Sequence, residues 1–123
     1  MTARVIVAGS RNFNDFALLE EKLNALLVNL KDVEIVAGGA RGADSLGEMY
    51  AKKHGLPCKV FRANWDDDGP QAGFIRNDTM ASYAAEHGQG YCVVFWDGQS
   101  HGTAHMRKVA AEYGLAVRTI IFG

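Results

Sequence analysis

The chain predicts an α/β fold of three layers, in which a mainly parallel five-stranded sheet lies between two layers of helices. Two observations predict it. Short runs rich in Val, Ile and Phe alternate with longer segments whose apolar residues recur every three or four positions. The first four runs also lack an apolar/polar alternation, as expected of parallel strands covered on both faces.

The elements follow in order. RVIVAG (4–9) is the first strand. Phe16, Leu19, Leu23, Leu26, Leu27 and Leu30 then form one apolar stripe on a helix capped by Asn14 or Asp15. VEIVAG (33–38) is the second strand, followed by a helix over 43–54 that carries Leu46, Met49 and Tyr50 and stops at Gly55 with Pro57 beyond. CKVFRA (58–63) is the third strand, and ANWDDDGPQAG (63–73) reads as the one long irregular stretch before a helix over 73–87. YCVVFW (91–96) is the fourth strand, and a helix over 102–113 places Met106, Val109, Ala110 and Tyr113 on one face. The last strand, AVRTIIF (116–122), is interrupted by Arg118 and Thr119 and is expected at an edge of the sheet. Strands alternating with helices imply right-handed crossovers.

Composition narrows the function classes. The 123 residues, of mass 13.4 kDa, suit one domain, and 48 % hydrophobic residues are enough for a real core. Thirteen Lys and Arg against fourteen Asp and Glu leave a net charge of −1, without the electrostatic footprint of a general nucleic-acid binder. No apolar run reaches the roughly 18 residues of a membrane helix, and the opening MTARVIVAGS does not read as a signal peptide, so a cytoplasmic protein is expected. Cys58 and Cys92 stand in apolar runs without a CxxC pattern and are expected to be buried, unpaired thiols.

In α/β sheets of this kind ligands lie beyond the carboxyl ends of the strands. Eight of the fourteen glycines fall in the four strand-to-helix loops there: Gly9, Gly38, Gly39, Gly42, Gly69, Gly73, Gly98 and Gly102. Glycine turns let the backbone approach a ligand closely, and the helix N-termini that follow offer free N–H groups and a positive dipole end, a combination suited to phosphate. Arg11, Arg41 and Arg76 lie in or beside these loops, whereas all six lysines lie elsewhere. Arginine grips phosphate with two prongs. Neither a GxxxxGK[ST] P-loop nor GxGxxG follows a strand, which speaks against an ordinary P-loop NTPase or a nicotinamide-dependent dehydrogenase.

Four ordered motifs carry a resemblance: VAGSR (7–11), VAGGARGAD (36–44), NWDDDGPQAGFIRN (64–77) and FWDGQSHGTAHM (95–106). Together they resemble the YspA/YpsA-related branch of the SLOG superfamily over nearly the whole chain. The resemblance implies a Rossmann-like fold with strand order 3-2-1-4-5 and a nucleotide-derived ligand, such as a nucleoside monophosphate or an ADP-ribose-like molecule. It also implies a homodimer. The superfamily includes the LOG phosphoribohydrolases, which split the N-glycosidic bond of a cytokinin riboside monophosphate, and the DNA-processing protein DprA. By position, Gly38, Gly39 and Gly42 match its GGxxG turn, Gly98, Ser100, Gly102 and Thr103 its second phosphate loop, and Arg76 the arginine that opens the third helix in LOG enzymes. The glutamate of the LOG pattern PGGxGTxxE is replaced by Met106, which cannot act as acid or base.

The expected ligand-binding set is therefore Gly9, Ser10, Arg11, Gly38, Gly39, Arg41, Gly42, Asn77, Gly98, Ser100, Gly102 and Thr103, with Arg76, Asp97 and Asp44 as candidate catalytic groups. An N-glycosidase would need a carboxylate beside the oxocarbenium-like centre, and Asp44 and Asp97 end glycine turns where one could stand. Asp44 also reads as a helix cap, and Asp97 as a partner for ribose hydroxyls. Trp65 or Trp96 would stack on a base. Asp66, Asp67 and Asp68 read as a solvated acidic turn, and His101 and His105 lack the Glu and third ligand of a zinc helix, so neither a metal nor a cofactor is expected. His105 reads as a residue at the edge of the site. A DprA-like association with DNA is the least favoured reading, given the net charge of −1.

Overall fold

The computed structural model of the protein describes residues 2–123. Five strands, β1 (Ala3–Gly9), β2 (Val33–Ala37), β3 (Cys58–Val60), β4 (Gly90–Trp96) and β5 (Ala116–Ile121), form one sheet in the order β3-β2-β1-β4-β5. All four pairings are parallel. The fold is Rossmann-like, as the motifs implied, and both sheet edges are short or polar: β3 has three residues, and β5 carries Arg118 and Thr119.

Successive residues of β1 explain why its sequence does not alternate. Val5 and Val7 enter one core with Leu19, Leu23, Ile35 and Tyr50, while Ile6 and Ala8 enter the other with Val36, Met80, Val94 and Met106. Helices α1 (Phe16–Leu27) and α2 (Ala43–Lys53) cover the first face, and α4 (Ala72–Ala85) and α5 (His101–Glu112) the second. Asp15 caps α1, its side chain accepting the N–H of Leu18 at 3.0 Å. The helix closes at Leu27, but Leu30 still packs against the first core.

The structure corrects three expectations about local order. β3 leaves the sheet after Val60, three residues early: Phe61 N–H donates a last bond to Ala37 O at 2.8 Å, and the chain then turns so that Arg62 reaches back to Gly39. Cys58, on this edge strand, is exposed rather than buried, whereas Cys92 on central β4 is fully buried. The stretch 63–73 is not irregular. It folds into a one-turn helix, α3 (Trp65–Asp68), a 3-10 turn (Gly69–Gln71) and the start of α4. Asn64 Oδ1 accepts the N–H of Asp67 at 3.2 Å, and the three aspartates fill that first turn, where their charge faces free N–H groups.

α2 approaches β1 through a glycine. A Cβ on Gly47 would lie 2.8 Å from the Cβ and Cγ1 of Val7, so the helix rides closer to the strand than any side chain would permit. No helix among the described residues is long and apolar enough to cross a membrane.

Candidate functional site

At the carboxyl ends of β1, β2 and β4 the loops open into a cleft of about 740 Å³. Its walls include Gly9, Ser10, Arg11, Arg41, Asp44, Arg76, Asn77, Asp97, Ser100, Gly102 and Thr103. Gly38 and Gly39 line an adjoining depression, and Gly42 and Gly98 line neither. These last two shape the loops, with φ of +82° each; Gly42 packs against the backbone of Ser10 and Arg11.

Ser10 joins three elements. Its N–H donates to Phe95 O at 2.9 Å, its carbonyl accepts from Phe13 and from Ala43 at the start of α2, and its hydroxyl accepts the N–H of Asp97 at 3.1 Å. Ser10 is thus a buried strut under the cleft, with most of its polar capacity already used.

Asp97 organises the fourth loop. Its Oδ1 accepts the N–H groups of Gln99 at 2.9 Å and Ser100 at 2.8 Å, and these two bonds hold its carboxyl below the usual range. The N–H groups of residues 99 and 100, expected to meet phosphate, are therefore taken by this carboxylate. The ladder of α5 begins with Ala104 N–H on Ser100 O, so the N–H groups of His101, Gly102 and Thr103 stay outside it. Ser100 opens α5 as its cap residue, and its hydroxyl pairs with that of Thr103 at 3.2 Å.

Asp44 does not cap α2. Gly42 occupies the cap position, and Asp44 lies in the first turn at 4 % exposure. Burial pushes its carboxyl up to about 6, against the opposing pull of Arg76 and of the Ala40 and Gly38 backbone. Arg76 faces the same conflict from the other side: burial disfavours its charge, Asp44 favours it and Arg11 opposes it. Gly38 is where these groups converge. A Cβ there would lie 2.6 Å from Arg76 Nη1 and 2.6 Å from Asp44 Oδ2, so only glycine leaves room for both.

A polar chain ties the second loop to the fourth. Arg76 Nη1 donates to Gly38 O, and Arg76 Nε donates to Asn77 Oδ1 at 3.1 Å. Asn77 Nδ2 in turn lies 3.2 Å from Gly102 O and 3.1 Å from His105 Nδ1. Buried Asn77 therefore fixes the guanidinium of Arg76 relative to the N-terminus of α5. His105 stacks on Phe74, centroids 4.2 Å apart, at the rim.

Of the two tryptophans, Trp65 lines the cleft and is half exposed. Trp96 lies behind it, its Nε1 donating to Ser100 O at 3.0 Å while Arg107 covers its ring. Met106, at the position of the LOG glutamate, is buried at the cleft floor. Sequence reasoning missed Phe74 and Met80 in the cleft, and Arg62 beside it. Arg62 carried a signal, since it ends the third apolar run where the site should lie, but it read as part of the strand.

The first half of the chain also matches a family model. The YspA, cpYpsA-related SLOG family model covers residues 3–67, from β1 through the first two loops to α3. The chain belongs to this SLOG family. The Gene 61 protein of Mycobacterium phage D29 is 32 % identical to it over 120 residues, with 93 % of each chain covered. SLOG membership suggests a nucleotide-related ligand-binding or processing role for the chain.

Proposed function

We propose that the protein binds a nucleotide-derived anion, a nucleoside monophosphate or an ADP-ribose-like molecule, in the cleft above β1, β2 and β4. One observation carries the reading: Arg11, Arg41 and Arg76 border a single cleft with the N-termini of α2 and α5, and among the described residues none of the three is ion-paired with a carboxylate. Unpaired arginines at helix N-termini favour an anion, which replaces lost water contacts with charge-assisted bonds. The volume of about 740 Å³ falls within the usual ligand range of roughly 300–1,000 Å³. Trp65 and Phe74 supply aromatic faces for a base.

Calorimetry with AMP and ADP-ribose tests it. Arg76→Ala weakens binding by about 1.5–3 kcal/mol, the worth of a charge-assisted hydrogen bond. An absence of binding to wild-type protein by either ligand would overturn the reading.

A second reading, cleavage of the N-glycosidic bond of a nucleoside monophosphate, is favoured by Asp44. Its buried carboxyl, raised to about 6, can exchange a proton near neutral pH, whereas Asp97 is held ionised by two backbone N–H groups. Analysing the same incubations for free base separates binding from hydrolysis.

A further inference from the structure

A second depression of about 560 Å³ adjoins the main cleft, and Arg11, Ala40, Arg41, Trp65 and Arg76 line both. Gly38 and Gly39 belong to the second and not to the main cleft, and so do Arg62 and Ala63, which also border a third depression that includes Asp68. Four arginines therefore surround this depression, and no carboxylate lines it. None of the four is in an ion pair among the described residues, although the chain as a whole carries a net charge of −1. Two are aimed by the second loop itself: Arg76 donates to Gly38 O, and Arg62 Nη1 donates to Gly39 O at 3.1 Å. Gly39, with φ of +74°, makes that approach possible, since a Cβ there would lie 2.8 Å from Arg62 Nη1.

Charge matching sets the ligand class. A phosphate monoester brings about two negative charges at neutral pH, and in the main cleft it would already meet Arg76 and two helix N-termini. It leaves Arg62 and its neighbours uncompensated. We infer that the depression around Arg62 is a second anion subsite, so that the ligand is a nucleotide bearing a further phosphoryl group beyond the first, as in a nucleoside diphosphate. The inference rests on the reading that the main cleft holds the nucleotide. The first phosphoryl lies by Arg76 and the further one between Arg41 and Arg62.

The test is calorimetry without divalent cations, using AMP, ADP and inorganic pyrophosphate against wild type, Arg62→Ala and Arg62→Lys. ADP binds wild type at least tenfold more tightly than AMP. Arg62→Ala removes most of that advantage while AMP affinity stays within about twofold, and Arg62→Lys, which keeps the charge, restores part of it. Equal affinities for AMP and ADP overturn the inference and leave the nucleotide reading standing. An equal loss of both ligands in Arg62→Ala also overturns it, because Arg62 then only braces Gly39. Pyrophosphate binding as tightly as ADP overturns the nucleotide assignment of the main cleft and, with it, the inference that rests on that assignment. Failure of all three ligands overturns both.

Discussion

Asp44 keeps a carboxyl at 4 % exposure with no cation in direct ion-pair contact among the described residues, and burial raises its pKa from 3.8 to about 6. A carboxyl with a higher pKa folded than unfolded makes the native state bind the extra proton between those values, so its burial weakens stability as pH rises through that window. The full cost, about 3 kcal/mol, is present above the folded value and vanishes below the unfolded one. Asp44→Asn removes the ionisation. Relative to wild type, it is stabilised by about 2 kcal/mol more at pH 7.5 than at pH 4.5, read by urea denaturation at both values. A difference that does not change with pH would mean that Asp44 is not desolvated. Burial at that cost contributes nothing to stability, which is the ground on which we propose Asp44 for ligand contact or proton transfer. The sequence marked Asp44 as notable but left it between cap and chemistry, because the choice depends on where the side chain turns. Gly42, by taking the cap position, removes the cap reading.

At the level of elements, α2 is set on β1 by Gly47 and in turn fixes the second loop and Asp44. Alanine is the better helix former by about 1 kcal/mol, but its Cβ would stand 2.8 Å from Val7. Overpacking a tight core costs typically 1–3 kcal/mol, so the steric cost equals or exceeds the gain. Gly47→Ala lowers stability by up to about 2 kcal/mol in chemical denaturation, and a stabilised variant would contradict the packing account. The helices were legible because their stripes face one core each, and Asp15, Gly55 and Gly114 end them with ordinary cap chemistry. The segment 63–73 was misread because its aspartates look like a solvated loop until Asn64 is seen to cap them as a helical turn. The early end of β3 was equally hidden. Phe61 has strand propensity, but the chain leaves the sheet after Val60 and Arg62 instead bonds Gly39 O across the loop.

For the whole molecule, a ligand held at the loop rim as proposed would be linked to global stability, since β1, β2 and β4 and both helix layers meet there. A ligand that binds only the native state at 100 times its Kd adds about 2.7 kcal/mol, which for a domain of this size raises Tm by on the order of 10 °C. ADP at saturation therefore gives a thermal shift of that size in wild type and a much smaller one in Arg76→Ala. An unchanged Tm in wild type would count against a site coupled to the fold. What the sequence determined alone was the layered α/β architecture and the rim at which its glycine loops stand, because periodicity and turn chemistry act over a few neighbouring residues. Membership of the SLOG family was also legible in its ordered motifs, and the match over residues 3–67 agrees. Only the tertiary structure decided which polar groups remain free. Ser10 and Asp97 turned out to be committed to holding loops together, Trp96 to lie behind the cleft, and Arg62, read as strand, to stand beside Arg11, Arg41 and Arg76. Hydrogen-bond satisfaction and the convergence of like charges join residues from β1, β3, α4 and their loops. They are set by distances across the sheet, which no local pattern encodes.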